Sequence, residues 1–126
     1  MYNNAKIIIV DDNPLFREVL KLLIEMEEIG KVIAEAENGQ ELLDLLEIYN
    51  PDLVILDIEM PVMGGLEAAQ KAIVKMPGLN ILVVTQAYGK ETRQAMLNAG
   101  VNGFVLKTSG KRELEKAIKT LLELEN

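Results

Sequence analysis

Three carboxylates, one hydroxyl and one ammonium group each follow the end of a short aliphatic run in the sequence. These side chains are those of Asp11, Asp12, Asp57, Thr85 and Lys107. Carboxylates can hold a divalent cation or act as nucleophiles, and hydroxyl and ammonium groups can bind phosphoryl oxygens. The chain contains no histidine and no cysteine, which excludes Ser-His-Asp triads, zinc sites built on histidine and thiolate chemistry.

The carboxylates of Asp11, Asp12 and Asp57 would repel one another if they shared one pocket. At a separation of about 5 Å and an effective dielectric constant near 20, each pair costs about 3 kcal/mol. Either one carboxyl group stays protonated or a cation sits among them. Mg²⁺ suits such a pocket because it prefers oxygen ligands and keeps some of its waters. With Mg²⁺ and Lys107 supplying positive charge, Asp57 could form an acyl phosphate.

The aliphatic runs predict β-strands. They lie at Ile7–Val10, Leu53–Leu56 and Ile81–Val84, with weaker runs at Val32–Ala34 and Phe104–Leu106. Because the runs lack polar alternation, they indicate strands that are buried on both faces, as in a parallel sheet.

Segments of helical periodicity lie between and after these runs. They are predicted from Leu15 to Met26, from the Asn38 cap onward, from Leu66 to Lys75, from Lys90 to Ala99 and from Arg112 to Leu124. Pro14 suits a first helical position after an Asn13 cap, Asn38 with Glu41 resembles a capping box, and Gly100 is placed to end the fourth helix. In the first helix apolar residues recur at spacings of three and four, namely Leu15, Val19, Leu22, Leu23 and Met26.

Strands and helices in alternation predict an α/β fold, a (βα)5 doubly wound five-stranded parallel sheet. We take the strand order 2-1-3-4-5 from flavodoxin, and ligands of such sheets bind beyond the carboxyl ends of the strands where that order reverses. The reversal lies between strands 1 and 3, which carry the three carboxylates. Thr85 and Lys107 would flank them on strands 4 and 5. The 126 residues are expected to form one domain, 1–126, with no effector domain.

Charge and hydropathy argue against several partners. The net charge of −7 and the absence of a basic cluster predict no nucleic-acid binding by this chain alone. No apolar run reaches the roughly 18 residues of a membrane span, and the stretch from Met1 to Lys6 lacks the apolar region of a signal peptide. We therefore expect a cytoplasmic protein without a membrane partner, and the absence of cysteine suits that compartment.

The chain resembles response-regulator receiver domains (CheY-like) along essentially its whole length. The matching elements are Val10-Asp11-Asp12, the segment from Asp57 to Gly65, Thr85, and the segment from Ala99 to Lys107. Each element alone is weak, but their order and spacing together are specific. The resemblance implies a phosphoacceptor switch of a two-component system, which takes a phosphoryl group from a sensor histidine kinase in a Mg²⁺-dependent reaction.

The resemblance also implies a role for each matching acidic residue. Asp57 matches the phosphoacceptor. Asp11 and Asp12 match the acidic pair that holds Mg²⁺, Asp12 directly and Asp11 through water. Glu59 matches the position whose backbone carbonyl completes the metal shell.

The remaining matches concern the response to phosphorylation. Thr85 and Lys107 match the groups that bind the phosphoryl oxygens, and Phe104 matches an aromatic switch residue. Thr85 would move inward and Phe104 would fill the space, which changes the face formed by helix 4, strand 5 and helix 5. The chain departs from the family at Thr108, where proline is frequent, so a cis peptide bond is less expected. It also departs at Gln86, which replaces a small residue and could control the access of water to the phosphoryl group.

Two kinds of output stay open. The segment from Phe104 to Ile118 resembles receivers of NarL/LuxR-type regulators, which carry a C-terminal helix-turn-helix domain, and we favour an excised receiver that controls transcription. A single-domain regulator that acts by protein contact is the alternative, and a homodimer after phosphorylation fits both. A Mg²⁺-dependent phosphatase that forms an aspartyl phosphate is a weaker alternative, because Glu59 stands where such enzymes carry a second Asp. We expect no enzyme activity beyond self-catalysed phosphoryl transfer and autodephosphorylation.

Overall fold

A computed structural model describes residues 4–125, so the first three residues of the polar N-terminal stretch lie outside it. The strands are β1 (Lys6–Val10), β2 (Lys31–Ala36), β3 (Leu53–Leu56), β4 (Ile81–Thr85) and β5 (Gly103–Leu106). The helices are α1 (Pro14–Met26), α2 (Gly39–Leu45), α3 (Gly65–Lys75), α4 (Lys90–Ala99) and α5 (Lys111–Glu125). The predicted order of elements is confirmed, and the predicted ends lie within one or two residues of the observed ones.

The five strands form one parallel sheet in the order β2-β1-β3-β4-β5, which confirms the predicted fold. Val10 at the end of β1 pairs with Ala36 of β2 and with Leu56 of β3. Thr85 at the end of β4 pairs with Leu106 of β5. The chain therefore reverses its direction of winding between β1 and β3, and the residues that follow Val10 and Leu56 meet at one edge of the sheet.

Two hydrophobic layers cover the sheet. Alternate residues of β1 point into different layers, Ile8 and Val10 into one and Ile7 and Ile9 into the other. The first layer is closed by α2, α3 and α4, and the second by α1 and α5. Among the described residues, no helix combines the length and the apolarity that a membrane span requires.

The apolar residues whose spacing predicted α1 mostly lie outside the core. Four of the five are exposed, namely Leu15 (72%), Val19 (54%), Leu22 (49%) and Met26 (75%). The core contacts come instead from Leu20 and Ile24, with Phe16 and Leu23 packed beside them. Both sets of residues recur at a helical spacing of three or four. The spacing therefore predicts two apolar stripes on α1 but does not tell which of them packs against the sheet.

The predicted caps of α1 and α2 are observed, with one difference at α2. The side chain of Asn13 accepts hydrogen bonds from the backbone N–H groups of Leu15 and Phe16, and Asn38 accepts one from Glu41. The Glu41 carboxylate reaches back to the N–H of Glu37, one residue before the cap, so the capping box is shifted by one residue. Together these caps fix where α1 and α2 begin relative to the strand ends.

Candidate functional site

The carboxylates of Asp11, Asp12 and Asp57 come together at the edge where β1 and β3 end. One oxygen from each lies within 4.8 Å of the others. Asp11 and Asp57 are buried, whereas Asp12 is exposed. The cluster therefore offers oxygen donors with solvent on one side, a donor set that fits a hard divalent cation such as Mg²⁺.

Backbone and side-chain hydrogen bonds fix the loop that carries Asp11. The Asp11 N–H donates to the carbonyl of Ala36 at 3.0 Å, and its Oδ1 accepts from the N–H of Asn13 at 2.9 Å. The guanidinium of Arg17 donates to the Asp11 carbonyl at 2.6 Å and pairs with Glu35 at 3.0 Å. The acidic loop is thus tied to β2 and to the first turn of α1.

Asp57 is held by the neighbouring strand β1 and by the loop that follows β3. Its N–H donates to the Val10 carbonyl at 2.9 Å, and its Oδ1 accepts from the N–H of Ile58 at 2.7 Å. Gly65, the first residue of α3, lies so close that a Cβ there would stand 2.1 Å from the Asp57 carbonyl oxygen. The start of α3 therefore supports the Asp57 backbone through a contact that only glycine permits.

Gly65→Ala is expected to lower the free energy of unfolding by about 3 kcal/mol, because the new methyl group overlaps the backbone at Asp57. Urea unfolding of the variant against wild type measures the loss. Gly89→Ala is the matched control, since nothing lies within 4 Å of a Cβ at Gly89. Equal stability of the two variants would show that α3 does not press on Asp57.

Lys107 brings positive charge to the carboxylates. Its Nζ lies 2.7 Å from Asp11 Oδ2 and 3.4 Å from Asp57 Oδ2, and the side chain is 14% exposed. The same Nζ lies 4.4 Å from the centroid of the Phe16 ring. The peptide bond that follows Lys107 is trans, as are the others among the described residues.

Burial and charge shift the ionisation of this pair. Burial raises the pKa of Asp11, and the negative charge of Asp57 acts in the same direction, against hydrogen bonds from Lys107 and Asn13. Burial on its own would lower the pKa of Lys107, but its hydrogen bonds and the charges of Asp11 and Asp57 outweigh burial and raise it. The ammonium therefore stays charged, and the pocket favours positive charge beside its carboxylates.

Three other predicted site residues lie at or just beyond the ends of β3 and β4. Thr85 is buried at the end of β4, and Gln86 beside it is exposed. Glu59 is exposed two residues after Asp57 and lines a cleft of about 270 Å³ with Ala87, Tyr88 and other residues of the two loops. The roles predicted for Thr85, Gln86 and Glu59 stay predictions.

Phe104 lies half-buried on β5, one of the two edge strands of the sheet. Its ring centroid lies 5.2 Å from that of Tyr88 and 5.4 Å from the guanidinium carbon of Arg93. The ring therefore contacts α4 and the loop before it. Its predicted role as a switch stays a prediction.

Sequence reasoning did not single out Phe16 and Arg17 as site residues. Both belong to the first turns of α1, where the apolar and charged pattern identified them only as part of a helix. The sequence could have indicated both residues, because side chains in a helix tilt towards its N-terminus. Residues one turn after the Asn13 cap therefore lean towards the acidic loop.

Comparisons with known proteins find similar sequences over nearly the whole chain. The family model "Response regulator receiver domain" matches residues 7–119. The transcriptional regulatory protein DegU of Brevibacillus brevis is 34% identical over 121 residues, which cover 96% of this chain and 51% of that protein. This chain thus spans about half the length of the curated relatives it matches.

Solved structures give the same result. A two-component response regulator of the LuxR family from Aurantimonas sp. SI85-9A1 is similar at a TM-score of 0.90 and 34% identity, over 95% of this chain and 86% of that chain. A CheY-like response regulator receiver domain protein from Methanospirillum hungatei JF-1 is similar at a TM-score of 0.89 and 30% identity, over 96% and 95%.

Proposed function

This chain belongs to the response-regulator receiver family of two-component systems, and relatives such as DegU are transcriptional regulators; from that premise we propose that Asp57 accepts a phosphoryl group and thereby switches an output. The observation that carries the proposal is the position of Asp57. Its buried carboxylate lies beside Asp11 and Asp12, with Lys107 Nζ 3.4 Å from its Oδ2.

The two oxygens of Asp57 have different surroundings, and this difference selects the nucleophile. Oδ1 accepts a short hydrogen bond from the N–H of Ile58 at 2.7 Å, whereas Oδ2 accepts only a long one from Lys107 at 3.4 Å. We propose that Oδ2 attacks phosphorus while the bond from phosphorus to the donor breaks, and that Lys107 and the Thr85 hydroxyl donate to the transferred oxygens. Mg²⁺ held by the three carboxylates and the Glu59 carbonyl would neutralise charge on the phosphoryl group.

The phosphoryl donor must come from another molecule if it is a phosphohistidine, because the chain contains no histidine. The exposed stripe of α1, formed by Leu15, Val19, Leu22 and Met26, begins next to the loop that carries Asp11 and Asp12. Apolar residues spaced in this way on one helix face suit a partner helix. We propose that a helix of a sensor histidine kinase packs on this stripe and delivers its phosphohistidine to Asp57.

The proposed output is a change at the face formed by α4, β5 and α5. Movement of Thr85 towards the phosphoryl group would leave space for Phe104, and the ligand shifts the population between the two packings. Because the chain spans about half of DegU, transcription through a DNA-binding domain beyond this chain is the output we favour. Protein contact, including a homodimer, is the alternative. Turnover of external phosphate esters is not expected.

Beryllofluoride with Mg²⁺ tests the proposal, because it mimics a phosphoryl group on a carboxylate. Backbone NMR signals of wild type are expected to shift both at the Asp57 pocket and on the face of α4, β5 and α5. Asp57→Ala should remove both sets of shifts. Shifts that stay within the pocket would argue against the switch.

Gln86 is expected to shield the phosphoryl group from water, because it is exposed one residue after Thr85 and larger than the family's small residue there. Gln86→Ala should then lose phosphate about threefold faster, a barrier lower by about 0.7 kcal/mol. The dephosphorylation rate at saturating Mg²⁺ measures this. A slower variant would mean that the amide orients the attacking water, and equal rates would mean that Gln86 only faces solvent.

A further inference from the structure

The ring of Phe16 contacts the ammonium group of Lys107. The 4.4 Å between Nζ and the ring centroid lies within the range of a cation–π interaction. Lys107 thus has three partners in the described structure, the carboxylates of Asp11 and Asp57 and this aromatic face. Phe16 also packs against the hydrophobic layer below α1, so its ring is held from the other side.

The position of Phe16 is linked to the acidic loop itself. The N–H of Phe16 donates to Asn13 Oδ1 at 3.1 Å, and the N–H of Asn13 donates to Asp11 Oδ1 at 2.9 Å. A short chain of hydrogen bonds therefore connects the backbone of Phe16 with the carboxylate that binds Lys107. The backbone is thus fixed relative to the acidic loop, and movement of the ring away from Lys107 would also take it out of its contacts with the core.

The shortest contact of Lys107 is the one most exposed to competition. Its Nζ lies 2.7 Å from Asp11 Oδ2, and Asp11 is also one of three carboxylates that could hold a divalent cation. A cation at the cluster would draw electron density from Asp11 and repel the ammonium. The ring of Phe16 carries no net charge and cannot ligate a hard cation, so its contact with Lys107 does not compete with the metal.

We infer that Phe16 is a positioning residue for phosphoryl transfer: it keeps Lys107 beside Asp57 when a divalent cation takes Asp11. This role rests on the proposed function of Asp57 as phosphoacceptor. Without the ring, the long and flexible side chain of Lys107 would keep a weakened contact with Asp11 and would be repelled by the nearby dication. It would therefore spend more time in solvent.

The contact is tested by NMR without any phosphorylation. The Lys107 Cε–Hε signal, assigned with Lys107→Met, should be displaced upfield by the Phe16 ring current in wild type and lie at an ordinary position in Phe16→Leu. We expect the displacement to persist at saturating Mg²⁺. A wild-type signal that moves on addition of Mg²⁺ to the Phe16→Leu position would overturn the inference.

The role in transfer is tested by the rate at which acetyl phosphate with Mg²⁺ labels Asp57. Phe16→Leu is expected to slow labelling about fivefold, and Phe16→Tyr, which keeps the aromatic face, should restore it. In a Lys107→Met background, Phe16→Leu should cause no further loss, because the charge that the ring holds is gone.

Different outcomes would overturn the positioning role of Phe16 and the proposed function of Asp57. Equal rates for Phe16→Leu and Phe16→Tyr, or the same loss in the Lys107→Met background, would show that Phe16 only packs, while the assignment of Asp57 would stand. A wild-type protein that takes no phosphoryl group would instead overturn the proposed function, and the positioning role with it.

Discussion

Asp57→Ala is expected to abolish the uptake of a phosphoryl group from acetyl phosphate and Mg²⁺, measured by intact mass. Wild type should gain one group. The loss should be complete because the substitution removes the proposed nucleophile, the Asp57 Oδ2 that lies beside Lys107 and within the carboxylate cluster. Asp44→Ala, on the exposed side of α2, is the matched control and should be labelled like wild type.

The neighbouring acids are poor substitutes for Asp57. Lys107 lies closer to Asp11 Oδ2, at 2.7 Å, than to Asp57 Oδ2, at 3.4 Å, so it holds Asp11 more tightly than Asp57. Asp12 is exposed on the open side of the cluster, where water reaches it. If Asp57→Ala nevertheless gains one group to the same extent as wild type, the assignment of the phosphoacceptor is wrong.

Removal of divalent metal is expected to reduce labelling to background. Three carboxylates lie within 4.8 Å of one another, and Lys107 alone cannot balance them and an incoming phosphoryl group. Excess chelator should abolish the mass increase, and added Mg²⁺ should restore it. Undiminished labelling in excess chelator would refute a metal-dependent reaction.

Asp12→Ala should have nearly the same effect as chelation, because it removes the exposed carboxylate of the cluster. The stability of Asp12→Ala shows whether labelling is lost because the metal no longer binds or because the fold is disturbed. Since the substitution relieves repulsion at an exposed position, the urea midpoint is expected to stay equal to that of wild type or to rise slightly. A clear fall in the midpoint would mean that the variant is inactive for a structural reason.

The sequence predicts the sheet well because its central strands are continuous aliphatic runs. β3 appears with the predicted bounds, since it is buried on both faces. β2 is longer than its weak run because Lys31 and Glu35 belong to it, and such residues are tolerated on an edge strand. The strand order itself came from analogy with flavodoxin and not from the residues.

The site is predictable where it depends on strand ends and not where it depends on packing between distant elements. Asp11, Asp12 and Asp57 follow from the rule for carboxyl ends of parallel strands. The contact of Phe16 with Lys107 depends on how α1 lies against the end of β5, which no local pattern encodes. The same limit explains why the apolar spacing in α1 does not tell which of its two stripes meets the sheet.

The exposed stripe of α1 has an evolutionary consequence. Because Leu15, Val19, Leu22 and Met26 lie outside the core, substitutions there should change stability by only about 0.5 kcal/mol or less. A duplicated gene could therefore alter these positions freely, lose one partner and gain another while its core and acidic pocket stay intact. Divergence of paralogous signalling pathways, and their insulation from one another, would begin on this face of the helix.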